Sequence, residues 1–158
     1  SNSAQAELIF EPIDRLEINA AFRINDVRTT INGKLDQKAF SNRHKGLLSL
    51  SYATKFEKWQ FDFTSQYNGK IRVPDTDYLP KEYKPYEKVR AYVLLSAMIT
   101  KRFKQWDIYA GGENLTGFKQ EQAIIASEDP FGPYFDTTYL WGPITGRTIY
   151  LGIRFSIK

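Results

Sequence analysis

The chain has 158 residues, 42% hydrophobic and 15% aromatic, which excludes intrinsic disorder and suits one ordered domain. Cysteine is absent, so disulfide frameworks, thiolate metal sites and thiol chemistry are excluded. The net charge of +4 is spread over interleaved acids and bases, leaving no basic run of the kind nucleic acid demands.

Residues 6–11 form a short apolar run, a partial strand, closed by the turn signal Pro12-Ile13-Asp14. Over 15–31, Leu16, Ile18, Ala20, Phe22 and Ile24 share one face, with Glu17, Asn19, Arg23 and Asn25 largely opposite. This spacing predicts a long strand, broken by Asn32-Gly33 and followed by a polar stretch to about 45. Over 46–56, Leu48, Leu50, Tyr52 and Phe56 fall on one face, and Glu57-Lys58 makes a minimal turn. Over 59–71, Trp59, Phe61, Phe63 and Tyr67 alternate with Gln60, Asp62, Thr64 and Gln66, so the two runs read as a hairpin. Residues 72–88 form a loop marked by Pro74, Pro80 and Pro85. A strand follows over 89–103, then a turn at Lys104-Gln105, then a strand over 106–115. Residues 116–146 make the longest connection, rich in Pro and Gly, and a loop of that length in a compact domain ordinarily has a function. Residues 147–158 alternate strictly to the end of the chain.

No helix, second domain or low-complexity stretch is visible. No run is long and apolar enough for a transmembrane helix, but a transmembrane barrel alternates its faces and needs none. Two regularities favour the barrel. Connections alternate short and long, which in an up-and-down antiparallel sheet gathers every short turn at one end. Phe10, Phe56, Trp59, Phe103, Trp106 and Phe155 then lie near that end, as an interfacial aromatic belt requires. The last six runs also have the 9–11 residues, roughly, that cross a bilayer when tilted. The same alternation equally builds a soluble β-barrel with an apolar interior, a small carrier or binding module for an apolar ligand.

Gly111-Gly112-Glu113-Asn114-Leu115-Thr116-Gly117 resembles the G-x-E-N-L-T stretch near the end of TonB-dependent outer-membrane receptors. Gly132-Pro133-Tyr134-Phe135-Asp136, Trp141-Gly142-Pro143 and Gly146-Arg147 leading into Gly152-Ile153-Arg154-Phe155 follow in the order seen in Bacteroidetes-type members. So does Pro12-Ile13-Asp14-Arg15-Leu16 ahead of a strand ending near Asn25-Asp26-Val27. The chain departs from the family at its terminus, where Phe155 is followed by Ser156-Ile157-Lys158.

The resemblance implies an all-β, antiparallel up-and-down β-sheet, a fragment of a transmembrane β-barrel of about 22 strands around a plug. Residues 1–158 form a single domain of C-terminal barrel strands, seven by count, with the plug domain absent and an opening Ser-Asn-Ser that reads as an arbitrary start. The parent imports a scarce nutrient of the siderophore, cobalamin-like or glycan class at the bacterial outer membrane. Its implied partners are outer-membrane lipid, the rest of the barrel and plug, and the TonB complex through the missing N-terminal part. Without detergent the isolated piece, with two unpaired edges, is expected to curl into a smaller barrel, pair with another copy or aggregate.

The long loops supply the candidate ligand residues Tyr78, Tyr83, Tyr86, Tyr134, Tyr139 and Trp141, whose rings either stack on a substrate or pack the loops together. Trp106, Ile108, Ile149, Leu151, Ile153 and Phe155 are the expected lipid-facing side. Arg23, Arg90 and Arg154 fall on polar faces, as lumen-lining residues would. Asp75-x-Asp77 lacks the remaining ligands of a calcium loop, and His44, the only histidine, reads as a solvated loop residue. One histidine makes neither a metal cage nor a nucleophile–base pair, so neither a metal, a cofactor nor an enzyme is expected.

Overall fold

The computed structural model describes residues 1–31, 33–85 and 88–157. Seven long strands form one antiparallel sheet: β1 (Asn2–Ile13), β2 (Leu16–Asp26), β5 (His44–Ala53), β6 (Trp59–Asn68), β9 (Tyr92–Arg102), β10 (Trp106–Glu113) and β11 (Thr148–Phe155), each paired to the next in chain order. Two small hairpins stand apart within the connections: β3 (Arg28–Ile31) with β4 (Lys34–Gln37), and β7 (Ile71–Arg72) with β8 (Lys88–Val89). The architecture is the expected all-β, up-and-down sheet. It is open, with β1 and β11 at its edges.

Register carries the apolar pattern from strand to strand. Leu8 faces Ala20 and Phe10 faces Ile18; Ile18 faces Leu50, which faces Phe63. Phe61 faces Ile99, Ile99 faces Ala110, and Ala110 faces Leu151. Directly paired residues share a face, so these positions make one continuous apolar surface across all seven strands. The opposite surface is a polar network. Ser49 Oγ meets Thr64 Oγ1 at 3.3 Å, Ser51 Oγ donates to Asp62 Oδ1 at 2.7 Å, and Gln60 Nε2 donates to the same oxygen at 2.9 Å. Arg102 closes the row, donating to Gln60 Oε1 at 2.5 Å and to Glu57 Oε2 at 3.0 Å.

The apolar surface is not covered. Ile149, Leu151 and Ile153 are 81%, 75% and 63% exposed. The buried apolar residues, Ile71, Val73, Leu79, Val89, Ile125, Ala126 and Tyr139, lie in the long connections at one end of the sheet. A dry core therefore forms among the loops, while the sheet's own apolar face meets no protein.

Several strand bounds differ from the sequence reading. The first strand is a full 12 residues, not a partial one, and Pro12 and Ile13 lie inside it across an irregularity in pairing. Its turn is Asp14-Arg15, with Arg15 at φ 68°. The run over 15–31 is two elements, because β2 stops at Asp26 and the chain turns at Val27 into the β3–β4 hairpin. Phe56 leaves the β5 face: Lys55–Glu57 form a 3-10 turn with Phe56 at φ 59°, and the expected two-residue turn is a five-residue one. Val89 belongs to β8, outside β9. β10 and β11 are 8 residues each, shorter than their runs of alternation. Such short local pairings keep an extended period and are invisible to it.

Candidate ligand-binding site

The three long connections dock into a cap at the end opposite the short turns. Asn114, directly after β10, sets the corner. Its backbone is left-handed at φ 49°, a conformation Asn tolerates better than most side-chain-bearing residues. Its Nδ2 lies 2.6 Å from the Phe118 carbonyl, 3.1 Å from that of Thr145 and 3.4 Å from that of Gly146, tying both ends of the last loop to one side chain. Thr116 Oγ1 donates to the Val93 carbonyl at 2.9 Å, and the Leu115 amide donates to the Leu95 carbonyl at 2.8 Å, which pins the corner to β9. The G-G-E-N-L-T-G stretch is thus a loop anchor.

Gln120 is the second organiser. It is 5% exposed, and its side chain is fully engaged. Nε2 donates to the Gln122 carbonyl at 2.7 Å and the Tyr139 carbonyl at 2.8 Å; Oε1 accepts from the amides of Trp141 at 2.9 Å and Gly142 at 3.1 Å. A buried amide with both ends satisfied fastens the outgoing and returning arms of the loop without leaving a polar orphan. Alongside it Phe118 stacks flat on Tyr92, centroids 4.1 Å apart, and Trp141 leans on both at 6.1 and 5.9 Å.

The loop cap holds a cleft of about 370 Å³ lined by Pro85, Val89, Arg90, Phe118, Gln120 and Trp141, with Tyr139, Lys119, Glu121 and Gln122 completing the wall. This falls within the usual range for small-ligand sites. Aromatic walls with Arg90 and Lys119 exposed at the rim suit a ligand with a flat apolar part and negative charge. A larger cleft of about 620 Å³, lined by Lys70, Arg72, Asp75, Asp77 and Lys84 among others, is more polar. Its Asp75-x-Asp77 pair is engaged internally: Asp75 Oδ1 accepts from the Asp77 amide at 2.9 Å, and Lys84 Nζ meets Asp77 Oδ1 at 2.8 Å. The hydrogen bond and charge of Lys84 hold the Asp77 carboxyl below the usual range. Among the described residues no group of three or more His, Cys, Asp or Glu side chains is arranged for a metal ion.

The expected ligand residues do not form one platform. Tyr139 is 4% exposed, edge-on to Phe40 at 5.7 Å, and is part of the loop core. Burial, with a smaller influence from Tyr78, pushes its phenol up to about 12. Trp141 is half-buried and lines the cleft with it. Tyr83 and Tyr134 meet each other at 5.8 Å on another side of the cap, where lost hydration and then Glu128 raise the Tyr83 phenol. Tyr78 is 70% exposed. Tyr86 lies outside the described residues. The sequence does not single out Phe118, Gln120, Arg90 or Lys119 as ligand residues; Phe118, Lys119 and Gln120 follow the G-G-E-N-L-T-G stretch, whose last residue, Gly117, takes the left-handed conformation at φ 69°. Arg90 stands outside the long strands, at the cap, whereas Arg23 and Arg154 lie on the polar surface of the sheet. His44 is not a solvated loop residue. It opens β5, is half-buried and stacks on Phe22 at 6.0 Å, because its pairing with Ile24 places it on the apolar side.

A sheet whose apolar face is bare, whose polar face is networked and whose long loops form the dry core among the described residues has the build of a piece of transmembrane β-barrel wall. Two solved structures of the ferric enterobactin receptor PfeA from Pseudomonas aeruginosa share this fold. A single-substitution variant matches with a TM-score of 0.62 at 16% identity, covering 97% of this chain and 22% of the receptor. A second variant, in complex with enterobactin, matches with a TM-score of 0.61 at 16% identity, covering 96% and 22%. The chain therefore spans about a fifth of the length of these receptors. Both come from Pseudomonas, so the narrower likeness to Bacteroidetes-type members gains no support from them. No protein-family profile matches the chain, and no curated protein matches it in sequence.

Proposed function

We propose that this chain is barrel wall and ligand-facing loop of an outer-membrane, TonB-dependent receptor that takes up a scarce nutrient, with the apolar sheet face against lipid and the polar face toward a plugged lumen. The observation that carries this reading is the inversion of burial. Ile149, Leu151 and Ile153 stay exposed on an ordered sheet, while the loops bury Ile71, Val73 and Ile125 to 5% exposure or less. A soluble carrier would do the reverse, since an apolar-ligand barrel keeps its large side chains inside. Trp106, Ile108 and Phe155 extend the lipid-facing side to the belt. The solved neighbours are receptors for ferric enterobactin, an iron complex, so an iron chelate joins the cobalamin-like and glycan classes as the first cargo to test. Energy coupling through TonB and a plug belongs to the whole receptor.

The three tryptophans test the reading, because Trp59 and Trp106 sit in the belt and Trp141 in the loop cap. In single-tryptophan variants of the full chain reconstituted in brominated-lipid vesicles, Trp59 and Trp106 are expected to be quenched and Trp141 to be unaffected. A water-soluble monomer with none of the three quenched would sink the membrane reading and leave the carrier.

A further inference from the structure

The apolar surface carries one lysine at the short-turn end. Lys101 pairs with Trp59 on one side and Ile108 on the other, so it shares their face. Its Nζ lies 4.7 Å above the Trp59 ring and 5.2 Å from that of Phe103. Trp106 and Phe155, packed at 4.4 Å, stand on the neighbouring strands at the same level. Among the described residues no ion pair within 4.0 Å is recorded for Lys101, whereas Arg102, one position on and facing the polar side, is engaged by Glu57 and Gln60. The turns around it add Lys55, Lys58 and Lys104, with Lys55 Nζ over Phe56 at 5.4 Å.

A half-buried ammonium on an otherwise apolar face is costly if that face meets hydrocarbon alone. It is favourable where a ring of aromatics marks the boundary between hydrocarbon and headgroups, because the stem snorkels and the charge reaches a phosphate. We propose that Lys101, seated between Trp59 and Phe103 and flanked by the turn lysines, binds the phosphate of an anionic phospholipid in the leaflet on the short-turn side. The rings hold the glycerol and upper acyl segments while the ammonium neutralises the headgroup. The occupant is a lipid, since the aromatic floor around Lys101 is wasted on a free anion and charge complementarity alone would not place the lysine on this face.

This inference rests on the membrane-spanning reading, and the experiment separates the two. The full chain in neutral detergent is titrated with short-chain phosphatidylglycerol or phosphatidylcholine, and retained lipid is counted by native mass spectrometry. Phosphatidylglycerol is expected to be retained preferentially, and Lys101→Gln to weaken it about fivefold, the effect of one interfacial charge. Lys34→Gln, in the β4 hairpin at the far end, is expected to leave it unchanged. Trp59→Leu with Lys101 intact is expected to weaken both lipids. Equal retention of the two lipids, or no loss in Lys101→Gln, overturns the lysine site and leaves the membrane reading standing. Displacement of phosphatidylglycerol by millimolar inorganic phosphate overturns the lipid assignment. A chain that takes up neither detergent nor lipid overturns both.

Discussion

At the scale of single residues, two positions show how the last hairpin is held. Tyr109 faces Gly152 and Tyr150 faces Gly111 across the β10–β11 pair, so each ring lies over the other strand's glycine. A Cβ on Gly152 would run into the Tyr109 ring, and one on Gly111 into Tyr150. Gly152→Ala is therefore expected to cost about 1–3 kcal/mol through overpacking. Tyr109→Ala in the same chain should recover part of that loss, read as the urea midpoint in detergent; equal midpoints for Gly152→Ala and the parent would refute the close fit. Asn114→Ala removes the one donor group that reaches the carbonyls of Phe118, Thr145 and Gly146 and a residue suited to φ 49°. A loss of about 1–3 kcal/mol is expected, confined to the loop, and hydrogen exchange should show faster exchange over 114–147 with β6 and β9 unchanged. The sequence marked both sites, the glycines and the E-N-L-T run. Glycines inside a strand point to a bend or a close contact, and Gly111 has the latter, but which ring fills the space, and which carbonyls 32 positions away Asn114 reaches, have no local signature.

At the scale of elements, the seven long strands were readable because one face of each had to be apolar, and that demand repeats every second residue. The elements that the period missed are those where no sheet face is at stake. The β3–β4 and β7–β8 hairpins serve the loop core: Arg72 Nη2 meets Asp36 Oδ2 at 3.0 Å, and the Phe40 amide donates to the Arg72 carbonyl at 2.9 Å, joining two connections that are distant in sequence. The cap that results has an alkaline limit. Tyr139 is buried against Phe40, and its folded-state pKa of about 12 stands above the ordinary phenol value of 10. The folded cap binds that proton more tightly than the open one, so the stabilisation is complete below pH 10 and is lost as pH rises toward about 12. Proteolysis within 116–146 should accelerate over that window in the parent chain, and Tyr139→Phe should flatten the dependence. An unchanged alkaline profile in the variant would mean that another group opens the loop.

For the molecule as a whole, the deciding property is what the apolar face of β11 touches. Thr148–Phe155 is 8 residues, roughly 26 Å of extended chain, which a barrel tilt of about 45° reduces to roughly 18 Å, so the paired strand spans most but not all of the roughly 25 Å apolar band of an outer-membrane barrel. Ile149, Leu151, Ile153 and Phe155 sample that band at successive depths, from the loop side to the aromatic belt, and the register with Gly112, Ala110, Ile108 and Trp106 fixes their order. A water-exposed face gives no depth dependence: arginine at each of the four positions would be near neutral and would raise solubility. A lipid-exposed face gives a profile. Arginine should cost most at Leu151 and Ile153, about 2–4 kcal/mol, and fall toward about 0–1 kcal/mol at Phe155, where the side chain reaches headgroups. Denaturant unfolding of the four single variants in lipid vesicles reads the profile directly. The edge position of β11 sharpens the comparison, since its outer side has no neighbouring strand in this sheet to absorb a changed side chain. A flat series near zero would return the apolar face to water or to a second copy of the chain, whereas a peak at the middle of the strand places hydrocarbon against it.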